Sequence, residues 1–311
     1  MALDPIAAGL LEQMAAAGGP AINELDPPAA REMAQGFLPL AGEPEEVAES
    51  KDIIIPGPGG GIPATVTTPK GAGNGPLGCL LYYHGGGWVI GDRASLNPSV
   101  TRLANAAGCK VVSVDYRLAP EHKFPAPLDD CYAALQWVAA NGASLGIDPS
   151  KLAVGGDSAG GNLAAAVALR ARDEKGPGIK FQVLVYPVTH HDFGTPSYTE
   201  NADGYLLTRT MMDWFWNHYV RDANDSKNPY VSPLLAKDLS GLPAAVVYTA
   251  EFDPLRDEGE AYAKRLKEAG VSVSHKRYDG QIHAFFQMGG VFPAAADAIQ
   301  DAANHLKKAF A

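Results

Sequence analysis

A serine that could act as a nucleophile lies between small residues in the segment GDSAG, residues 156–160, which follows the apolar residues 152–154 and Gly155. The segment fits G-x-S-x-G, in which a sharp turn between a strand and a helix exposes a serine hydroxyl. Glycine tolerates the cramped backbone of such a turn. Alternatively, Ser158 only caps the helix that follows, because serine is a favoured N-cap residue. The segment alone leaves both interpretations open.

A second segment, HGGGW at residues 84–88, places three consecutive glycines at the end of an apolar stretch. Glycines leave backbone N–H groups uncovered, so that they can stabilise the oxyanion of a tetrahedral intermediate. A phosphate-binding loop is the alternative, but neither G-x-x-x-x-G-K-[ST] nor G-x-G-x-x-G is present here. His84 is better explained as an anchor of this loop than as a base. The predicted oxyanion-hole residues are Gly85, Gly86, Gly87 and Ala159.

A serine hydroxyl becomes a good nucleophile when an imidazole accepts its proton and a carboxylate orients that imidazole. Asp253 lies just past the end of the predicted strand 244–249, and His283 lies in the loop after the last predicted strand. Both positions suit catalysis, so we predict that Ser158, Asp253 and His283 form a triad. Asp257 and Glu258 are better explained as charges at a helix N-terminus, and Glu251 as a structural or solvated neighbour.

The cluster His190, His191 and Asp192 could be interpreted as a metal site. Adjacent histidines usually point apart, and no further ligand occurs at a suitable spacing. The sequence therefore predicts neither a metal ion nor an organic cofactor.

The candidate catalytic residues must be positioned by a sheet, and the sequence contains eight β-rich stretches that can form one. From the third stretch onward helical patterns separate them, which is typical of a mostly parallel sheet with helices on both faces. The first two stretches lack such helices and are expected to form an antiparallel edge. We therefore predict an α/β fold with an eight-stranded central sheet. The stretches are 52–55, 62–68, 78–83, 110–115, 151–155, 181–186, 244–249 and 271–278.

Two segments fall outside this alternation, residues 1–50 and residues 190–225. The second contains a run of aromatic residues. The first is helix-prone but interrupted by Pro20, Pro27, Pro28, Pro39 and Pro44. Together they are expected to form a helical cap over a core made of residues 51–189 and 226–311. The aromatic run is equally well explained as an ordinary helix core. Under the cap interpretation, the candidate substrate-pocket residues are Trp88, Trp214 and Phe215.

The composition of the chain bears on its binding partners and on its location in the cell. The 311-residue chain has a net charge of −10, which argues against binding to nucleic acid or to anionic lipid. Its three cysteines are far apart in apolar stretches, which favours a reducing compartment. The N-terminus has no basic residue before Arg31, unlike a secretory signal, and no apolar run is long enough to span a membrane. We therefore predict a cytoplasmic protein.

Taken together, these motifs resemble the bacterial hormone-sensitive-lipase-like family of α/β-hydrolase carboxylesterases. The resemblance implies the triad and oxyanion hole given above, a cap built from both outlying segments, and small esters of short to medium acyl length as substrates. It also implies a possible homodimer formed along the last strand, near residues 271–278. The motifs that carry it are HGGGW at 84–88, DYRLAPEHKFPAPLDD at 115–130, GDSAGGNLAA at 156–165, DPLRDEG at 253–259 and the His283 loop.

Two other functions share this scaffold. An amidase or an acyltransferase could use the same triad, because the acceptor is chosen by pocket details that the motifs do not specify. A small-molecule receptor could keep the pocket without the chemistry. Receptors that resemble this family replace the triad histidine, whereas His283 is present here.

Overall fold

The computed structural model describes residues 2–73 and 75–311, and in this part of the chain it contains an eight-stranded sheet. The strand order is β1-β2-β4-β3-β5-β6-β7-β8. β2 pairs antiparallel with both β1 and β4, and all other pairs are parallel. The predicted fold class and the antiparallel edge are therefore confirmed. The strands are β1 Glu49–Gly57, β2 Gly60–Thr68, β3 Leu77–Tyr83, β4 Lys110–Val114, β5 Ile147–Asp157, β6 Phe181–Val185, β7 Ala244–Phe252 and β8 Val273–Ile282.

Ten α-helices accompany the sheet in the described residues. None of them is both long and apolar enough to cross a membrane. The helices are α1 Pro5–Ala17, α2 Pro27–Gln35, α3 Leu38–Ala41, α4 Asn97–Ala107, α5 Ala126–Asn141, α6 Ala159–Asp173, α7 Pro196–Glu200, α8 Arg209–Tyr219, α9 Arg256–Glu268 and α10 Pro293–Phe310.

Two apolar cores lie on opposite faces of the sheet, because successive side chains of a strand point to opposite sides. In β3, Leu81 and Tyr83 belong to one core, whereas Leu80 and Tyr82 belong to the other. Helices α5, α6 and α9 contribute to the first core, and α4 and α10 to the second. The sheet is thus covered on both faces, which leaves its edges and strand ends for function.

Three strands run further than the sequence predicts, and each ends one residue before a candidate catalytic residue. β5 ends before Ser158, β7 before Asp253 and β8 before His283. The polar and glycine-rich residues in these strand ends resemble turn residues, but pairing between β7 and β8 resumes after a bulge and extends to Phe252 and Ile282. Since β5, β6, β7 and β8 are parallel neighbours, their carboxyl ends meet at one edge.

The prolines of the N-terminal segment do not all interrupt its helices, which corrects the expectation from sequence in part. Pro20 and Pro44 lie outside the helices, as expected, but other prolines start helices. Pro5 and Pro27 occupy the first positions of α1 and α2, where proline has no amide hydrogen to lose from the helix ladder. Asp4 and Asp26 cap these two helices, accepting hydrogen bonds from backbone amides at 2.7 and 2.9 Å.

Helix α6 approaches the end of β3 so closely that the contact admits no side chain. A Cβ atom at Gly160 would overlap the carbonyl oxygen of Tyr83 and lie 2.6 Å from that of His84. We predict that Gly160→Ala lowers the free energy of unfolding by about 3 kcal/mol, the upper part of the usual range for overpacking. Urea unfolding measures this change.

Gly9 is the matched control, because a Cβ atom there meets nothing within 4 Å and the residue lies inside α1. Gly9→Ala should stabilise the protein by about 0.5–1 kcal/mol through helix propensity. Equal effects of the two substitutions would contradict the close approach of α6 to β3.

Candidate active site

Ser158 lies at a strained turn between β5 and α6. Its backbone has φ 56° and ψ −119°, which is unusual for a residue with a side chain and costs on the order of 1–3 kcal/mol. The Ser158 amide donates a hydrogen bond to the carbonyl oxygen of Val185 at 2.9 Å, which holds the turn against β6. Although Ser158 is the N-cap residue of α6, its side chain caps no amide. The hydroxyl points elsewhere, so the N-cap interpretation does not explain this serine.

The hydroxyl of Ser158 faces His283, and His283 faces Asp253. The distance from Ser158 Oγ to His283 Nε2 is 3.0 Å, and that from His283 Nδ1 to Asp253 Oδ2 is 2.7 Å. A carboxylate only accepts, so we assign the proton to Nδ1, which leaves Nε2 to accept from the serine hydroxyl. The structure therefore brings the three predicted triad residues together in the order that nucleophilic catalysis needs.

Asp253 is held in a fixed orientation. Its side chain is fully buried, and its Oδ1 accepts a hydrogen bond from the amide of Leu255 at 2.9 Å. Its backbone carbonyl accepts from the side-chain amide of Asn201 at 3.2 Å. These contacts leave Oδ2 directed at the imidazole.

The imidazole of His283 is also positioned by Tyr186, a residue that the sequence interpretation treated only as part of a strand. The two ring centroids lie 4.6 Å apart with an angle of 51° between the planes. Tyr186 directly follows β6 and has φ 32°, another strained backbone. Nothing in the local sequence distinguishes this tyrosine from the other buried aromatic residues, because its role depends on a loop nearly a hundred positions away.

The glycine loop after β3 presents backbone donors beside the nucleophile. Gly86 and Gly87 have φ 104° and 55°, which side chains tolerate poorly. Within the described residues, the amides of Gly86, Gly87 and Ala159 have no protein acceptor. Ala159 also begins α6, where the helix dipole favours negative charge. These three amides fit an oxyanion hole.

Gly85 departs from the prediction that it belongs to this set of donors. Its amide donates a hydrogen bond to Asp157 Oδ1 at 3.2 Å. An amide that is already bound to a carboxylate is not available to an oxyanion. Gly85 therefore contributes to the loop's position, and the candidate oxyanion hole is reduced to Gly86, Gly87 and Ala159.

His84 anchors the glycine loop, as the sequence indicates. Its Nδ1 lies 2.7 Å from the carbonyl oxygen of Gly85, and its ring stacks on Tyr116 with centroids 4.2 Å apart. The Tyr116 hydroxyl donates to the His84 carbonyl oxygen at 2.7 Å. Burial lowers the pKa of His84 because the protein interior disfavours the imidazolium. A neutral ring that donates from Nδ1 suits an anchor.

A cavity of about 420 Å³ opens above Ser158 and His283. Both outlying segments line it. Residues 14–41 contribute one wall and residues 206–215 another, so these segments cover the catalytic edge of the sheet. The lining is mostly apolar and includes Met33, Phe37, Leu207, Met211 and Phe215.

Of the three residues predicted for the pocket, only Phe215 lines this cavity. Its ring lies against Gly87, where a Cβ atom would overlap it. Trp88 is fully buried behind the loop and stacks on Tyr219, with centroids 4.0 Å apart. Trp214 lies on a separate surface depression, with its ring edge against His218. Adjacent positions on a helix face different directions, which separates Trp214 from Phe215.

The other acidic residues near Asp253 have structural partners. Asp257 accepts a hydrogen bond from the amide of Ser197 at 2.8 Å. Glu258 is buried, against the expectation of a simple helix charge, and accepts from the amides of Thr189 and His190 at 2.6 and 3.1 Å. Burial raises its pKa well above the usual range. Glu258 thus ties the start of the 190–225 segment to α9.

The two adjacent histidines of that segment contact different partners. His190 Nδ1 lies 3.9 Å from Asp192 Oδ2. His191 stacks on Trp216, with centroids 4.3 Å apart, and its Nδ1 lies 2.6 Å from Ser226 Oγ. Across residues 2–73 and 75–311, no three His, Cys, Asp or Glu side chains are grouped as a metal site requires.

Known proteins are similar to this chain in sequence and in fold. A family described by the α/β-hydrolase fold matches residues 80–287. The carboxylesterase NlhH of Mycobacterium tuberculosis is 48% identical over 75% of this chain and 74% of its own length. An arylesterase of Saccharolobus solfataricus is 42% identical over 82% of this chain and 83% of its own.

Two solved structures extend the likeness to the full chain, including the outlying segments. The ester hydrolase EH1AB1 from the metagenome of Lake Arreo superposes with a TM-score of 0.96 at 43% identity, covering 99% of each chain. A hyperthermophilic esterase from the archaeon Pyrobaculum calidifontis gives 0.93 at 44% identity, again over 99% of each chain. This chain therefore belongs to the hormone-sensitive-lipase-like carboxylesterase family of the α/β-hydrolase fold.

Proposed function

We propose that this protein hydrolyses carboxylic esters of short to medium acyl length, with Ser158 as nucleophile, His283 as base and acid, and Asp253 as its orienting carboxylate. One observation carries the proposal: the chain of hydrogen bonds from Ser158 Oγ through His283 to Asp253, at 3.0 and 2.7 Å. Relatives that carry the names carboxylesterase and arylesterase support an ester as the acyl donor.

In the first half of the reaction, Ser158 Oγ attacks the ester carbonyl carbon while its proton passes to His283 Nε2. Asp253 stabilises the imidazolium and keeps it oriented. The carbonyl oxygen becomes an oxyanion held by the amides of Gly86, Gly87 and Ala159. Collapse of this intermediate expels the alcohol, which takes the proton from Nε2 and leaves an acyl group on Ser158.

In the second half, water enters the place of the alcohol and gives a proton to His283 Nε2 as it attacks the acyl carbon. The same amides hold the second oxyanion. Release of the acid returns the proton to Ser158. Each such backbone donor typically contributes on the order of 3 kcal/mol to transition-state stabilisation, because it is aimed at the charge before the reaction begins.

The cavity supports small neutral esters as substrates. Its volume of about 420 Å³ lies in the lower part of the range for small-molecule sites. Its walls are mostly apolar, and among its lining residues the one carboxylate, that of Asp157, lies next to Ser158 in the chain. The residues 14–41 and 206–215 act as a cap that limits the acyl chain, which makes an emulsified long-chain lipid a poor substrate.

Two further expectations stay predictions. β8 is an edge strand, and its first five residues, 273–277, are exposed or partly exposed. Two copies of the chain could pair along this edge. Light scattering measures the mass of the assembly. The cytoplasmic location predicted from the sequence is compatible with three buried free cysteines.

We predict that the purified protein hydrolyses a short-chain p-nitrophenyl ester and that Ser158→Ala abolishes the activity. Loss of a triad serine costs on the order of 10⁶ in kcat, because the remaining groups lack a nucleophile. Asp253→Asn should retain a residual rate reduced about 10⁴-fold, since the wrong imidazole tautomer is then favoured. Initial rates over a range of ester concentrations give both values.

Circular dichroism of each variant is the control for folding. Full activity in a folded Ser158→Ala variant would contradict the assignment of Ser158 as the nucleophile. A wild-type protein that hydrolyses no ester would contradict the proposed function.

We predict that Phe215→Ala moves the preferred acyl chain toward longer esters, because it removes an aromatic ring from the cavity wall. Trp214→Ala is the matched control, since this neighbouring aromatic lies outside the cavity. A series of p-nitrophenyl esters from acetate to palmitate measures the preference. An unchanged profile in Phe215→Ala, or best wild-type activity on long-chain triglycerides, would contradict the assigned acyl pocket.

A further inference from the structure

We infer that Asp157, the residue before the nucleophile, is a positioning residue that holds the oxyanion loop in place through the amide of Gly85. This inference rests on the proposed function, because it assigns a role within the same reaction. It concerns a side chain for which the sequence motif specifies no chemistry.

The Asp157 carboxylate is buried at the base of the cavity, with 5% of the residue exposed. Its Oδ1 accepts two hydrogen bonds, from the Gly85 amide at 3.2 Å and from the Tyr82 hydroxyl at 3.2 Å. The side-chain amide of Gln287 donates in turn to the Tyr82 hydroxyl at 3.2 Å. One carboxylate thus joins the serine turn, the end of β3 and the loop that carries His283.

Steric contact places Gly85 against the same carboxylate. A Cβ atom at Gly85 would overlap Asp157 Oδ2 and lie 3.0 Å from the Asp157 carbonyl oxygen. Gly85 can therefore be replaced by no larger residue unless the loop or the Asp157 carboxylate moves. The hydrogen bond and the close contact together fix where the next two amides, those of Gly86 and Gly87, lie relative to Ser158.

The carboxylate is held in this place at a free-energy cost. Burial raises the pKa of Asp157 to about 6, although Gln287, His283, Tyr82 and Gly85 partly offset this effect. Other groups nearby include the hydroxyls of Tyr116 and Tyr186, whose pKa values are also raised by burial and by the Asp157 charge. A buried carboxylate with a raised pKa is a candidate for a functional role. Because Asp157 contacts the loop that carries the oxyanion donors, we assign it the role of positioning that loop.

The test compares Asp157→Ala, which removes the acceptor, with Asp157→Asn, whose Oδ1 can still accept from Gly85 and Tyr82. We expect Asp157→Ala to lower kcat for a short-chain p-nitrophenyl ester about 10²-fold, as loss of an oxyanion donor does, with little change in KM. Asp157→Asn should stay within about fivefold of wild type, because the hydrogen bond is retained.

A trifluoromethyl ketone supplies a second readout, because Ser158 converts it into a hemiketal whose oxyanion needs the same amides. Its inhibition constant should rise in Asp157→Ala by the factor by which kcat/KM falls.

Asp157→Ser replaces Asp157→Ala in this test if the alanine variant does not fold. The serine side chain is too short to take the place of the carboxylate at Gly85. Asp157→Ser should show the same loss of kcat.

Asp130→Ala is the control for loss of a buried carboxylate away from the site. Asp130 is 1% exposed and binds Arg117 at 2.8 Å. This variant should lose stability but keep the kcat of its folded fraction.

Three results would overturn the inference: a folded Asp157→Ala or Asp157→Ser with kcat within about twofold of wild type, an Asp157→Asn variant as slow as Asp157→Ala, or an inhibition constant that does not change with kcat/KM. If Ser158→Ala keeps activity or the wild type has none, the proposed function itself fails. An active wild type with unaffected Asp157 variants removes only the positioning role.

Discussion

The candidate site depends on the register of four parallel strands. β5, β6, β7 and β8 are consecutive neighbours, and their pairing extends to their carboxyl ends. Ser158, Asp253 and His283 each follow the last residue of one of these strands. A register slip of one residue would turn every side chain of a strand to the opposite face. The two apolar cores, which bury alternate residues of the strands, therefore also determine whether the three polar groups meet.

Backbone strain is concentrated where these strands end. In the described chain, five residues other than glycine have positive φ. Three of them directly follow β5, directly follow β6 or lie next to His283, and a fourth ends the 84–88 loop. Such conformations persist only where the surrounding contacts impose them. Here the glycines of the serine turn and of the 84–88 loop remove the side chains that would clash, and buried hydrogen bonds hold the loops. The four residues are Trp88, Ser158, Tyr186 and Ala284.

The sequence predicted the fold and the three side chains that meet at the candidate site, because both depend on local signals: apolar strands separated by helical patterns, and motifs at strand ends. It assigned Gly85 to the oxyanion hole, but the partner of that amide is the Asp157 side chain, 72 positions away. It also placed Trp88 and Trp214 in the pocket. The direction of Trp214 depends on how α8 packs, and Trp88 is buried against Tyr219 of that helix, so neither direction follows from the local sequence. Pro27 starts a helix because the acidic cap Asp26 precedes it, whereas Pro20 lies between helices, as an interrupting proline does.

The central claim is that one serine, activated by this network, forms the covalent acyl intermediate. The most direct test is mass spectrometry of the intact and digested protein after reaction with a p-nitrophenyl alkylphosphonate, which stops at the first covalent step. The account predicts a single adduct per chain, located on Ser158, and strongly slowed labelling in a folded His283→Ala variant. No adduct, or an adduct on another residue with Ser158 unmodified, would contradict it.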